Sequence, residues 1–267
     1  MTSQKRNWEV MGILNTTPDS FFDGGNYSSI DKSIDRAAQI ISEGGTIIDI
    51  GGESTRPGSS PIPLSEELKR VVPVVEAVAD RFDVTISVDT TKSEVARQSF
   101  DAGADWLNDI SAGRFDANMA SVVAAAGATA VLMHSRKKPL DMQDNPSYDE
   151  VVEDVLSELM VQVELFKNRG VSENRIILDP GIGFAKRDVD NLALLNSCNK
   201  FVEKGFKLLI GTSQKSFLGR MLNDLEEDRL AGSLATIGKT YQQGASIFRV
   251  HQVAHSVNYL KTLDALA

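Results

Sequence analysis

Residues 46–58 read TIIDIGGESTRPG, an apolar run from Thr46 to Ile50 that carries one carboxylate, Asp49, and breaks at once into a glycine-rich polar turn. A short Ile-rich run without polar alternation is the pattern of a strand covered on both faces, as in a parallel sheet. Seven further runs are built the same way: Glu9–Leu14, Val84–Val88, Asp105–Leu107, Thr129–Met133, Arg175–Leu178, Lys207–Ile210 and Ser246–Val250. Between them lie segments of helical period at Asp31–Glu43, Ser65–Arg81, Lys92–Asp101, Ala117–Ala126, Tyr148–Arg169, Asp188–Lys204, Leu230–Gln243 and His251–Asp264. Asp31, Ser65, Asp116 and Asp188 are placed to cap the helices they open. Gly44, Gly103, Gly127, Gly170, Gly205 and Gly244 are placed to end helices in a left-handed turn. Eight strand–helix units predict an α/β fold, a closed parallel (β/α)8 TIM barrel. An open doubly wound sheet has the same alternation and is the competing arrangement.

The chain has 267 residues, 42% hydrophobic and 24% charged, an ordinary globular composition. That length suits one barrel, so residues 1–267 are expected to form a single domain. A net charge of −9 argues against a general nucleic-acid binder, because the whole-chain field repels polyanions. The one cysteine, Cys198, cannot form an internal disulfide or a zinc cage and reads as a buried structural thiol. No stretch approaches the ~20 apolar residues that cross a bilayer, and Val10 to Leu14 is too short for a signal-peptide core. A cytoplasmic protein that does not engage membranes is the expectation.

Barrel active sites lie at the C-terminal ends of the strands, and the polar residues cluster there. The first run leads into Asn15-Thr16-Thr17-Pro18-Asp19 and the second into Gly51 to Gly58; the third ends in Asp89, the fourth in Asn108-Asp109 and the fifth in His134. The sixth gives Asp179-Pro180-Gly181-Ile182-Gly183-Phe184, the seventh Gly211-Thr212-Ser213-Gln214-Lys215-Ser216-Phe217, and the eighth Arg249 with His251 beyond. Asp89, Asn108 and Asp179 together suit a flat, hydrogen-bond-rich heterocycle such as a pterin or purine, since a carboxylate accepts two parallel N–H bonds and an amide both donates and accepts. A carboxylate metal site is the alternative. Arg56, Lys215, Arg249 and His251, beside glycine-rich turns, are what a bound phosphate or diphosphate requires. Gly51-Gly52 and Gly181-Ile182-Gly183 lack the spacing of a dinucleotide fingerprint. His134 either faces the site or opens a loop with Arg136, Lys137 and Lys138, and His255 reads as a surface or packing residue. No H-E-x-x-H, C-x-x-C or G-x-S-x-G motif occurs, which argues against zinc proteases, thiol redox proteins and serine hydrolases.

The segments MGILNTTPDSFFDGG, IDIGGESTRPGS, SVDT, NDIS, DPGIGFAK, GTSQKSFLG and RVH stand in the order and spacing of the dihydropteroate synthases, which the chain resembles from about Val10 to about Tyr259. The resemblance implies a pterin-binding α/β barrel, usually a homodimer, that joins 4-aminobenzoate to (7,8-dihydropterin-6-yl)methyl diphosphate in folate synthesis. It implies a pterin set of Asp89, Asn108, Asp179 and Lys215. It further implies diphosphate contacts at Asn15, Thr55, Arg249 and His251, with Mg²⁺ held at Asn15. Phe21, Arg56, Pro57, Phe184 and Ser216 match the aminobenzoate pocket, where sulfonamides also bind in that family, and Asp19 and Arg56 belong to closing loops. Lys215, Asp179, Arg249 and His251 are the residues expected to carry the chemistry.

Two positions depart from the family pattern. Gln214 stands where the seventh motif usually has a basic residue, and Gln252 stands where the last motif usually has an acid. The loop from Met133 also lacks a glycine often found shortly after the histidine. A methyltransferase acting between methyltetrahydrofolate and a corrinoid protein shares the Asp and Asn pattern but does not need the ESTRPG, SxKSF and RVH elements. A low-activity or non-catalytic pterin binder is the other alternative, and its sequence support is Gln214 and Gln252.

Overall fold

The computed structural model describes residues 7–16, 26–221 and 229–266. Eight strands close into a parallel barrel in sequence order: β1 (Glu9–Asn15), β2 (Ile47–Gly51), β3 (Thr85–Asp89), β4 (Trp106–Asp109), β5 (Thr129–Met133), β6 (Ile176–Asp179), β7 (Lys207–Ile210) and β8 (Ile247–Val250). The β8–β1 pairing, with Glu9 opposite Ile247 and Gly12 opposite Val250, shuts the cylinder and excludes the open sheet. Around it run α1 (Asn26–Ser42), α2 (Leu64–Ala79), α3 (Ser93–Asp101), α4 (Met119–Ala126), α5 (Val151–Asn168), α6 (Asp188–Leu195), α7 (Cys198–Val202), α8 (Ser216–Met221), α9 (Leu230–Tyr241) and α10 (Val253–Leu266). Among the described residues, no helix is long and apolar enough to cross a membrane.

Strand side chains alternate between the two faces, and here each face has its own core. Val10, Ile48, Ile50, Val88, Leu132, Leu178, Ile210 and Phe248 point outward and pack beneath the helices in the main cluster. Met11, Ile47, Val131, Ile177, Leu209 and Ile247 point inward and plug the barrel as a separate layer, with Trp106 packed against it. One alternation further along, the inward positions change character. Asp49, Asn108, Met133, Asp179, Gly211 and Arg249 each lie two residues beyond Ile47, Trp106, Val131, Ile177, Leu209 and Ile247. The apolar plug is thus the floor on which a polar layer stands.

The helix ends correct several expectations. All six glycines named as C-terminal turns have positive φ, from 61° at Gly127 to 109° at Gly103. The N-terminal caps differ. Asp31 lies inside α1 and Ser65 inside α2, whose cap position is Pro63. Asp116 accepts from the backbone N–H of Ser93 at 2.8 Å, so it caps α3 as well as bracing Asn118 at 3.0 Å. Asp188 is already helical, and the Arg187 N–H is held by Asp190 at 2.8 Å. The single helix expected over Asp188–Lys204 is broken between α6 and α7. Gln243, just past α9, donates to Leu195 O at 2.8 Å and accepts from Cys198 N at 3.0 Å, satisfying the backbone groups that the break frees.

Candidate functional site

The strand ends surround an open cleft of about 330 Å³, solvent at its mouth included. Asp89, Asn108, Asp179, Lys215 and Arg249 line it with Thr55, Phe184, Gly211 and the apolar Ile110, Met133 and Ile182. Register explains the convergence: Asp89 stands opposite Asn108 on β4, and Met133 opposite Asp179 on β6. Small residues leave the room, since a Cβ on Gly51 would meet the Asp89 Cβ at 3.3 Å and one on Gly183 would meet the Lys215 Cδ at 3.2 Å.

Arg249 is the hub. Its Nε donates to Asp49 Oδ2 and its Nη2 to Asp89 Oδ2, both at 2.6 Å. Asn108 Nδ2 donates to the same Asp49 oxygen at 3.1 Å. Burial opposes the Arg249 charge, but Asp49, Asp89 and Asp179 outweigh it and hold the guanidinium protonated. Burial pushes the Asp89 carboxyl up to about 7; Arg249 opposes this, and Asp49, Glu67 and Asp109 add to it. Burial likewise raises Asp179 to about 6, against the pull of the Gly181 N–H and of Lys215. The same loss of water, with Arg249 nearby, lowers Lys215 to about 8. The Lys215 Nζ lies 4.0 Å from the Phe184 ring centroid, a cation–π contact. The cleft therefore holds carboxyls and an ammonium whose protonation can change near neutral pH.

The remaining sequence candidates are distributed around the rim. Asn15 ends β1 exposed, Arg56 and Pro57 are exposed beside Thr55, and Ser216 is exposed where α8 begins. His251 is at the rim; its Nδ1 lies 3.0 Å from Ser213 Oγ, and its backbone carbonyl accepts from Arg36 at 2.8 Å. Desolvation, then Arg249, Lys215, Arg56 and Arg36, push its imidazole down to about 4, so it is neutral at pH 7. Phe21 and Asp19 lie outside the described residues. His134 does not line the cleft. It is buried behind it, with Nε2 2.9 Å from Glu158 and Nδ1 3.0 Å from Lys186. His255 is exposed on α10. At the two departures, the Gln214 N–H donates to Ser233 Oγ at 3.2 Å and its carbonyl accepts from Arg229 at 2.8 Å, with φ 59°. Gln252 Oε1 stands 3.3 Å from Ser213 Oγ, beside the His251 ring.

Sequence reasoning put Asp49 at the end of the second strand without a role, and it did not single out Lys186. A carboxylate inside the apolar run TIIDI, at an inward position, was the available signal for Asp49. Lys186 follows a turn, so no periodicity marks which way it points.

A barrel whose strand ends gather Asp, Asn, Lys and Arg around one cleft defines a class, and the family model for pterin binding enzymes matches residues 11–251. The dihydropteroate synthase of Bacillus subtilis is 45% identical over 264 residues, covering 99% of this chain and 90% of its own length. That of Synechocystis is 44% identical over 258 residues, covering 96% and 89%. Among solved structures, a Clostridium difficile dihydropteroate synthase determined in the presence of pteroic acid superposes with a TM-score of 0.92 at 37% identity, covering 100% and 99% of the two chains. A Yersinia pestis dihydropteroate synthase in a sulfonamide drug complex gives 0.90 at 41%, covering 97% and 94%. The chain belongs to the pterin-binding enzyme family and, within it, to the dihydropteroate synthases, transferases of folate biosynthesis.

Proposed function

We propose that the cleft binds a dihydropterin through Asp89, Asn108, Asp179 and Lys215, and that Asn15, Thr55, Arg249 and His251 hold the diphosphate attached to it. Phe184, with Phe21, Arg56, Pro57 and Ser216, forms the pocket for 4-aminobenzoate. The reaction condenses the arylamine with (7,8-dihydropterin-6-yl)methyl diphosphate to give 7,8-dihydropteroate and diphosphate. The observation that carries the assignment is the meeting of Asp89, Asn108 and Asp179 with Lys215 and Arg249 on one cleft. Carboxylates and an amide match the donor–acceptor edge of a pterin, and the cations match a departing polyanion.

The chemistry follows from these charges. The C–O bond breaks with its electron pair leaving on the diphosphate, and the dihydropterin ring spreads the positive charge left on the methylene carbon. Asp179 and Asp89 stabilise that cationic ring electrostatically, while Arg249 and His251 hold the anion as it departs. His251, neutral at pH 7, acts as a hydrogen-bond donor. The neutral arylamine nitrogen supplies the electron pair of the new C–N bond and then loses its proton to solvent, so no strong general base is required. Loops carrying Asp19 and Arg56 exclude water that would trap the cation.

Mg²⁺ fits this donor set in one way only. Among the described residues, no group of three or more His, Cys, Asp or Glu could hold a metal ion, which argues against an all-protein cage. The exposed Asn15 amide oxygen is a hard ligand, and one protein oxygen together with substrate phosphates and water is how Mg²⁺ is commonly bound. Bound there, the ion would neutralise diphosphate charge. We further propose a cytoplasmic homodimer in which residues 1–267 form one domain. Diphosphate release from purified protein, with dihydropterin diphosphate, Mg²⁺ and 4-aminobenzoate each omitted in turn, tests the reading. Release that depends on the arylamine and yields dihydropteroate is expected; pterin binding without product would overturn it.

A further inference from the structure

Lys186 is buried, 2% exposed, immediately behind the cleft. Its Nζ donates to Phe184 O at 3.0 Å and to His134 O at 3.2 Å, and lies 3.0 Å from His134 Nδ1. Nζ thus has three polar partners, none of them a carboxylate, and burial pushes its pKa down to about 7. Burying an ammonium is costly, and an apolar chain of similar size would fill the space more cheaply. What the ammonium supplies that an apolar chain cannot is three directed bonds.

Within the segment that it holds, the Phe184 N–H donates to Gly181 O at 3.1 Å. Gly181, Gly183 and Ala185 have φ of 69°, 83° and 49°, alternating left-handed positions that form no helix or strand. Three successive carbonyls are fixed by side chains: Gly183 O by Gln143 and Ala185 O by the Tyr148 hydroxyl, both at 2.9 Å and both from the segment after β5, and Phe184 O by Lys186 itself. Lys186 adds the tie between this loop and His134, at the end of β5. The Phe184 ring that the loop presents carries Lys215 on its face.

We propose that Lys186 is a positioning residue for arylamine binding: by clamping the loop after β6 to the end of β5, it fixes the Phe184 wall of the arylamine pocket. This rests on the assignment of Phe184 to that pocket. The clamp requires one tautomer. The Glu158 carboxylate only accepts, so His134 Nε2, 2.9 Å from Glu158 Oε2, carries the ring proton and leaves Nδ1 as the acceptor for Lys186. Glu158 is held in turn by Arg136, at 2.9 Å from Nε and 2.5 Å from Nη2. The loops after β5 and β6 are thereby joined through one chain of bonds.

The test uses the full-length enzyme with Lys186→Met and Phe184→Leu, and thermal melting reports whether each is folded. In Lys186→Met, KM for 4-aminobenzoate is expected to rise roughly tenfold or more, as for a misplaced positioning contact, with a smaller change in the dissociation constant of the dihydropterin diphosphate measured by calorimetry. A KM within twofold of wild type in folded Lys186→Met, while Phe184→Leu raises it, overturns the clamp and leaves the pocket assignment standing. An unchanged KM in Phe184→Leu overturns the pocket assignment and the clamp's role with it. Nitrogen-15 NMR of wild-type His134 gives a readout that needs no variant. A protonated Nε2 with an accepting Nδ1 at pH 7 supports the clamp, and a proton on Nδ1 overturns it.

Discussion

Arg249 on β8 meets Asp49 on β2 across the barrel mouth, Nε to Oδ2 at 2.6 Å, with the Asp49 side chain fully buried. The fork fixes the guanidinium plane and frees its second arm for Asp89. Removing one partner of a buried ion pair leaves the other charge uncompensated, at a cost of about 3 kcal/mol. Asp49→Asn is expected to lower unfolding stability by about that much in urea titration and to reduce turnover at least ~10-fold. Wild-type values for both would mean that Asp49 does not anchor Arg249.

Asp179→Asn and Lys215→Ala address the cleft directly. Each is expected to stay folded by circular dichroism while losing on the order of 100-fold or more in dihydropteroate formation, the scale of a lost charge-stabilising group. Near-normal turnover in both variants would remove these residues from the pterin set.

Acid should weaken pterin binding. Burial raises Asp89 to about 7 and Asp179 to about 6, so below neutral pH both gain a proton and lose an acceptor oxygen. Calorimetry between pH 7.5 and 5.5 is expected to show affinity falling roughly tenfold or more, and Asp179→Asn should flatten the curve. Their effect on stability runs the other way. Folded pKa values above that of the unfolded chain mean a contribution fully present at low pH and lost as pH rises through about 6 to 7. A pterin affinity independent of pH would contradict the carboxylate contacts.

Gly181 has φ 69°, and a Cβ there would lie 1.9 Å from His134 O. Both the backbone conformation and the clash oppose a side chain, and the displaced carbonyl is one that Lys186 holds. Gly181→Ala is expected to lower the melting temperature by roughly 5 °C or more and to lose most activity. Retention of both would show that the loop can shift without consequence.

Cys198 is fully buried, and desolvation pushes its thiol up to about 12. A thiol reagent such as Ellman's is expected to leave the folded protein unreacted and to titrate one thiol per chain after unfolding. Rapid modification of the native state would refute the structural role.

All eight strands were legible because strands covered on both faces are mostly apolar without polar alternation, and such runs stand out between amphipathic segments. The polar ring was legible for a related reason, since barrel geometry sends whatever follows each run to the same end. The break between α6 and α7 was not, because the side chain that satisfies it, Gln243, lies 45 residues away from Cys198 in the chain. α8 was hidden for a different reason: six residues are too few to display a helical period. Asp116 was recognised as a cap but assigned to the wrong helix, since sequence adjacency cannot show that the N–H of Ser93 comes within reach.

By itself, then, the sequence determined the eight strand–helix units, the end at which their chemistry gathers, and the residue types assembled there, all of which follow from local periodicity and chain direction, while the β8–β1 pairing of the tertiary structure closed the barrel. Only the tertiary structure decided which charges meet. Arg249 finds Asp49 and Asp89 across separations of 200 and 160 residues, and Lys186 finds His134 across 52. No local pattern encodes such pairings, because they are set by barrel closure, strand register and the space that glycines leave open.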